Sequence, residues 1–512
     1  MPSRRAFMAA TGAVALPVLI NAPARADGRR LADPFTLGVA SGDPTPGGVV
    51  LWTRLAVDPL ALDGSGGMPD ADVPVQWQVA ADQSFRRVVR EGTTQARAAA
   101  GHSVHVEVDG LAPGGEYFYR FRTGQDLSPV GRTVTAPRPG TRTRDLNLSF
   151  TSCSDWQTGY FTPYARMAED APDLIAFLGD YFYEYGPYAS NVIRPVTGGE
   201  CFTLADYRLR FALHRSDPDL QQAHAIAPWA PVYDDHDIEN GWAGDIPEQP
   251  DPPFLPRRAA AFQAYWENMP LRRAQRPTGP DMTLYRTIRW GAVANLHMLD
   301  THLYRDLYAC TGKPGMIPAD CAERLDPKRT MLGADQEAWL DSRLRTSGAT
   351  WDLLGQQVFF MQMDWKNGDA VEFSNEGWDG YAATRTKVTD AIANYRRNGV
   401  VLTGDVHSHW AGEVKRDFGD PDSESVAVEL VTTSVTSARD GLDKYPNTDI
   451  LLAENPHVKF FNGRRGYVRT RVTAEAMHVD FRSLKYVSTP GAPAYTSGSY
   501  VIEAGSPHLK EA

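Results

Sequence analysis

Leu174-Ile-Ala-Phe-Leu-Gly-Asp-Tyr-Phe-Tyr-Glu184 is the stretch that decides the fold. Leu174–Leu178 is an unbroken apolar run, as expected of a strand buried on both faces. Glycine, aspartate and tyrosine follow at once, so the strand delivers polar chemistry from its carboxyl end. The same grammar recurs along the chain. Leu146–Thr151 runs into Ser152-Cys153, and Pro231-Val-Tyr233 into Asp234-Asp-His-Asp237. Trp351–Leu354 runs into Gly355-Gln-Gln357, and Val400–Thr403 into Gly404-Asp-Val-His407. Helices are expected between these runs. Thr162-Pro163 reads as an N-cap with proline at the first helical position. Tyr381–Arg397 carries Val388, Ile392 and Tyr395, then stops at Asn398-Gly399. Strands alternating with helices predict an α/β domain over 145–512 with a largely parallel core sheet. In open sheets of that kind, sites are built at the carboxyl ends of the strands. The alternating segment Gly466 to Val501 is expected to add antiparallel edge strands.

Upstream, the period changes to two. Val75, Trp77 and Val79 alternate with polar residues, as do Val104, Val106 and Val108, then Tyr117, Tyr119 and Phe121. Gly/Pro-rich turns punctuate them, which predicts a small antiparallel sandwich within 27–138. Ala136 to Asp145 reads as a linker. Residues 1–26 open with Ser3-Arg4-Arg5-Ala6-Phe7, continue through an apolar run to Ile20 and close on Ala24-Arg25-Ala26. That order resembles a twin-arginine signal peptide cleaved after Ala26, with an uncleaved amphipathic anchor as the competing reading. The run holds Gly12 and Pro17 and is too short for a comfortable membrane span. Twin-arginine export carries folded proteins, often with a metal already loaded, to a periplasmic or secreted destination.

The chain has 52 Lys and Arg against 63 Asp and Glu, a net charge of −11. Loss of Arg4, Arg5 and Arg25 would deepen that deficit. So acidic a protein is a poor partner for nucleic acid or an anionic membrane surface. Four cysteines in 512 residues do not make a disulfide scaffold. Cys310 and Cys321 flank a Gly/Pro-rich loop and could pair in an oxidising compartment, which leaves Cys201 buried.

The strand ends together suggest a two-metal site. Asp180 is short and follows a glycine, so its carboxylate can bridge two cations, which in such sites lie roughly 3.5–4 Å apart. A phenolate from Tyr183 and a thiolate from Cys153 favour a strongly Lewis-acidic ion such as ferric iron, with His407 available to complete its shell. Asp235 and Asp405 are hard donors suited to calcium, magnesium or manganese. His236 lies in an acidic run that would keep it protonated, which makes it a candidate general acid.

Gly179-Asp180-x-x-Tyr183, Asp235-His236 and Gly404-Asp405-Val406-His407 look like variants of the metallophosphoesterase motifs GDxxY, GNH and GHxH. The wider set resembles the alkaline phosphatase D (PhoD) family. It includes Gly38 to Pro44, Leu51-Trp-Thr-Arg54, Ser152-Cys153, Leu299-Asp-Thr301 and Trp378-Asp-Gly-Tyr381, and the resemblance runs from about residue 30 to 505. It implies an immunoglobulin- or fibronectin-like sandwich ahead of a metallophosphoesterase domain, a four-layer α/β/β/α sandwich. The implied activity is phosphomonoesterase or phosphodiesterase on a small phosphate-ester substrate. Carried over by motif, iron (Fe3+) would sit on Cys153, Asp180, Tyr183 and His407, and calcium (Ca2+) or another divalent ion on Asp180, Asp235 and Asp405. His236 takes the place of the histidine that acts on the leaving group. The chain departs from the family at Leu299-Asp-Thr-His302, where arginine is more usual, so a substrate-side contact is in question.

Competing readings exist for several of these residues. Tyr183 stands among Tyr181, Phe182 and Tyr185 and could belong to an aromatic core. Cys153 could be a small buried hydrophobe. Asp234 to Asp237 could be a solvated loop. Arg208 and Arg210 could touch phosphate, although a basic helix face accounts for them better. Gln356 and Gln357 are equal candidates for a strand-end amide, and His409 is expected at the rim. A phospholipase D-like phosphodiesterase acting on lipid head groups or teichoic-acid-like polymers is the runner-up function. A non-catalytic adhesin with a degenerate hydrolase domain is the alternative from another class.

Overall fold

Burial on both faces turns Leu174–Leu178 into a strand with parallel neighbours on either side. In the computed structural model it pairs with Leu146–Thr151 (Ala176 opposite Phe150) and with Pro228–Val232 (Ala176 opposite Ala230). The described residues are 33–142, 145–250, 253–395, 398–420 and 422–512. The expected export signal and its cleavage site lie outside them.

A second parallel set runs Ala294–Met298, Trp351–Gln356, Gly399–Thr403 and Ser425–Val431. Its inward residues Leu296, Met298, Leu353, Val400 and Leu402 share one core with Leu148, Phe150, Ala176 and Leu178 of the first set. Each of the larger side chains, wholly removed from water, contributes on the order of 1.5–3 kcal/mol. On the outer side of the first set, Phe177 and Trp229 meet Tyr164, Phe211 and Leu220 from helices. On the outer side of the second, Leu354, Val401 and Ala427 meet Leu340, Leu344, Val388 and Ile392 from the helices Gly333–Thr346 and Ala382–Tyr395.

Three local expectations change. The helix Thr162–Glu169 begins at Thr162, not after it, and has no side-chain cap. The Thr162 hydroxyl instead accepts from Gly491 N at 3.2 Å. The helix expected over Tyr381–Arg397 starts at Ala382, because Trp378–Tyr381 forms a tighter 3-10 turn. The long strand Val458–Val472 is no edge. Its first half pairs with His409–Lys415 (Trp410 opposite Phe461), and its second half with Leu146–Thr151 (Val468 opposite Phe150). One strand thus belongs to both sheets, while Ala476–Leu484 and Ala494–Glu503 extend the sheet from its other side.

Residues 39–134 form two antiparallel sheets around Val49, Leu51, Val75, Val79, Val104, Tyr119 and Phe121. Val39–Thr45 also pairs in parallel with Pro228–Val232 (Ser41 opposite Pro228), so the N-terminal sheet continues the first parallel set. The motif Leu51-Trp-Thr-Arg54 is buried at this junction. The Trp52 indole donates to Glu267 O at 2.8 Å, and the Arg54 guanidinium donates to Gly101 O, Gly64 O and Asn268 Oδ1. Cys310 and Cys321 are joined as a disulfide, and Cys201 is buried.

Candidate metal centre

The ends of both parallel sets converge through a shared backbone device. Cys153, Asp180, Asp405 and His407 all have left-handed φ, at 62°, 55°, 56° and 57°. Such a conformation costs a non-glycine residue on the order of 1–3 kcal/mol and persists only where the surroundings over-determine it. Gly179 (φ 102°) makes the approach possible: a Cβ there would lie 2.3 Å from Asp234 Cβ and 2.7 Å from Asp234 N. At Gly404 a Cβ would meet Leu178 O at 2.7 Å. Cys153 N donates to Gly179 O at 3.0 Å, and Ser154 N to Asp180 O at 2.8 Å. The Asp237 carboxylate then ties the loops together by accepting from Asp180 N, Tyr181 N and Asp234 N at 2.9–3.0 Å.

Two donor sets result. Ligand atoms of Cys153, Asp180 and His407 lie within 4.8 Å of one another, and so do those of Asp180, Asp235 and His236. Asp180 belongs to both. It is 1% exposed, and neither carboxylate oxygen has a hydrogen-bond partner. A buried carboxylate left so would cost several kcal/mol, which a bridged cation would offset. Tyr183 Oη lies 2.9 Å from His407 Nε2 and 2.8 Å from Ser437 Oγ, which also lies 3.1 Å from Cys153 O. The tyrosine is therefore part of the cluster, and its ring packs against His236 and His407.

The electrostatics describe an excess of negative charge. Burial pushes the Asp180 carboxyl well up against the pull of His236, with Asp234, Asp235 and Asp237 adding to the rise. Burial, then Asp234 and Glu376, does the same to half-buried Asp405. The Cys153 thiol is raised by burial, then by Asp180 and Asp405. Burial pulls His407 down to about 3, so its ring is neutral and has a lone pair to offer. Acids crowded out of water, with His236 as their main counter-charge, have the chemistry of a cation site.

His236 is held differently. Its Nδ1 meets Glu184 Oε2 at 2.8 Å, and Asn240 N donates to the other Glu184 oxygen at 2.8 Å. Burial pulls the imidazolium down, but Glu184, Asp235 and Asp180 outweigh it and hold the ring well above its ordinary value. Tyr183 packs against the ring with centroids 4.2 Å apart. Asp235 accepts from His236 N and Gly241 N, both at 2.8 Å, which aims its carboxylate.

A family model described as PhoD-like phosphatase matches residues 148–481, and the model of that family's N-terminal domain matches residues 21–137. The chain belongs to the PhoD-like phosphatase family. Alkaline phosphatase D of Bacillus subtilis (strain 168) is 47% identical over 487 residues, covering 93% of this chain and 82% of the relative. A solved PhoD structure superposes with a TM-score of 0.91 at 46% identity, over 95% of this chain and 93% of that one. The purple acid phosphatase PPD1 from yellow lupin seeds (Lupinus luteus) shares the fold, with a TM-score of 0.54 at 11% identity over 91% of this chain and 73% of that one. This PhoD-like phosphatase is a phosphoric ester hydrolase, and its kinship implies bound metal ions.

Several expected residues lie elsewhere in it. Arg210 is buried and donates to Tyr183 O and Gly199 O, so it braces the tyrosine loop and forms no basic face. Arg208 pairs with Glu267 at 2.7 Å. His409 is fully buried, not at the rim, and accepts from Thr433 N at 3.1 Å. Gln356 bonds Val358 O, Thr403 Oγ1 and Trp378 Nε1, while Gln357 bonds Thr301 and Leu299 O, so both amides brace the scaffold. His302 Nε2 meets Asp234 Oδ1 at 2.5 Å, a hydrogen bond to an acid behind the site from a ring that burial pulls down to about 3. Glu184, Ser437 and the His302–Asp234 pair are the parts that motif spacing did not assign.

Proposed function

We propose that this PhoD-like phosphatase holds ferric iron on Cys153, Asp180, Tyr183 and His407, and calcium or another divalent ion on Asp180, Asp235 and Asp405. With these it hydrolyses a small phosphate monoester or diester. The observation that carries the reading is the unpartnered, buried Asp180 carboxylate common to two donor sets. Bound there, the cations would draw off the negative charge that develops on the phosphoryl group. Glu184 accepts the Nδ1–H of the His236 imidazolium and sustains its charge, which leaves the Nε2–H to face the ester oxygen. In that pose the Nε2 proton passes to the departing alcohol oxygen. Tyr183, against the ring, keeps it from turning.

Leaving-group dependence tests this role. p-Nitrophenolate departs unaided, whereas an alkoxide needs a proton, and a general acid supplies about 10²–10⁴-fold only when the proton is needed. His236→Ala is expected to lower kcat/KM far more for an alkyl phosphate than for the p-nitrophenyl ester, at unchanged metal content. Equal losses on both would leave His236 a positioning residue. Parallel assays on a monoester and a diester separate a phosphatase from a phospholipase D-like diesterase.

The same reading takes residues 1–26 as a twin-arginine signal and the destination as periplasmic or secreted. It takes 27–138 as an immunoglobulin- or fibronectin-like sandwich and 145–512 as a four-layer α/β/β/α catalytic domain. The shared core of the two antiparallel sheets and the helices outside both parallel sets support the last two assignments. Among the described residues, no helix is long and apolar enough to cross a membrane.

A further inference from the structure

A second aromatic group besides Tyr183 stands against His236. Tyr185 sits edge-on to the imidazole with centroids 5.2 Å apart, and Tyr188 lies 6.3 Å beyond it. Both rings are only half-buried. The turn between them is Gly186-Pro187, and a single side chain pins it. Gln157, 2% exposed, donates from Nε2 to Gly186 O at 3.0 Å and accepts at Oε1 from Tyr188 N at 2.8 Å. The Tyr188 hydroxyl donates to Asp155 Oδ2 at 3.2 Å, and the same aspartate caps the turn that carries Gln157. An aromatic wall fixed at its turn and at Tyr188 forfeits little freedom when a ligand settles on it.

We propose that Tyr185 and Tyr188 form a platform for the leaving group, which selects phosphate esters whose alcohol carries a planar ring, such as aryl-methyl or nucleoside esters. The proposal rests on the reading of His236 as the group that meets the ester oxygen. Whatever is attached to that oxygen must then lie beside the imidazole, where these rings stand. A planar group there gains offset or edge-to-face contacts that an open alkyl chain makes poorly, a difference of about two- to tenfold for each ring.

Benzyl phosphate and n-butyl phosphate test the platform, because both release strongly basic alkoxides and differ in the ring. Tyr185→Ala is expected to lower the benzyl-to-butyl ratio of kcat/KM about five- to tenfold, chiefly through KM, while Tyr185→Phe keeps the ratio. Metal content and Tm, compared across the variants, separate this from misfolding. An unchanged ratio in Tyr185→Ala, or equal losses on the two esters, overturns the platform. The His236→Ala comparison of alkyl and p-nitrophenyl esters fails or succeeds separately. If that variant is selective and the Tyr185→Ala ratio is unchanged, the acid stands and the platform falls. The reverse pattern leaves the ring site standing without the acid.

Discussion

Tyr183 shows how a single side chain can serve two structures. Its ring packs on His236, and its hydroxyl lies 2.9 Å from His407 Nε2. Burial, then Asp180 and Cys153, pushes the phenol well up, so only a strong Lewis acid would hold it as phenolate. With ferric iron on Tyr183 and Cys153, the purified protein should absorb visible light by charge transfer, and Tyr183→Phe should shift or abolish the band. A colourless, iron-free and fully active protein would sink the iron assignment. The ligand candidates were legible because each follows directly on an apolar run, where polarity changes within a residue or two. Glu184 stands in the most informative stretch of all, yet its role was invisible because its partner is 52 positions away. Ser437 acts across 254 positions from a threonine-rich segment with no such contrast. His302, met as a departure from the family motif, makes sense only once Asp234 is seen against it.

The strand-to-loop turn is the element on which the site depends. Gly179 lets one strand end pass within contact of another, and its φ of 102° is rarely open to other residues. Gly179→Ala should therefore destabilise the protein by roughly 2–4 kcal/mol and lower metal content together with activity. Thermal unfolding and metal analysis of the variant check this, and a wild-type Tm with full metal would refute it. Strand positions and their order could be read from apolar runs alone, since periodicity records burial. Neighbours could not. The alternation in Val458–Val472 is what any half-buried strand shows, and nothing local marks that its two halves pair with different partners. The parallel pairing of Val39–Thr45 with Pro228–Val232 was hidden for the same reason.

At the scale of the whole molecule, the metal centre closes one end of both parallel sets, so its occupancy should be felt throughout. Carboxylate–calcium sites exchange readily, whereas thiolate-held iron does not. EGTA is thus expected to inactivate the enzyme reversibly and lower Tm by a few degrees, with calcium restoring both. Unchanged activity after prolonged EGTA would count against an essential calcium. Export poses the matching question for the intact precursor. Arg4-Arg5→Lys-Lys should trap it in the cytoplasm if the twin-arginine system reads residues 1–26, and normal export would point to the general secretory route. Cell fractionation distinguishes the two.

The strand shared by the two sheets also sets a clock. Thr470 reaches back to Leu148 across 322 residues. At ordinary translation speeds of about 5–20 residues per second, the first site-bearing strand waits roughly 15–60 seconds on the ribosome for its neighbour. Throughout that interval the edge that Val458–Val472 later covers has no partner strand. Polypeptide synthesis, not chain diffusion, therefore sets the earliest moment at which an active molecule can exist. A message truncated before the codon for Val458 yields a chain whose catalytic end stays open however long it is left to fold.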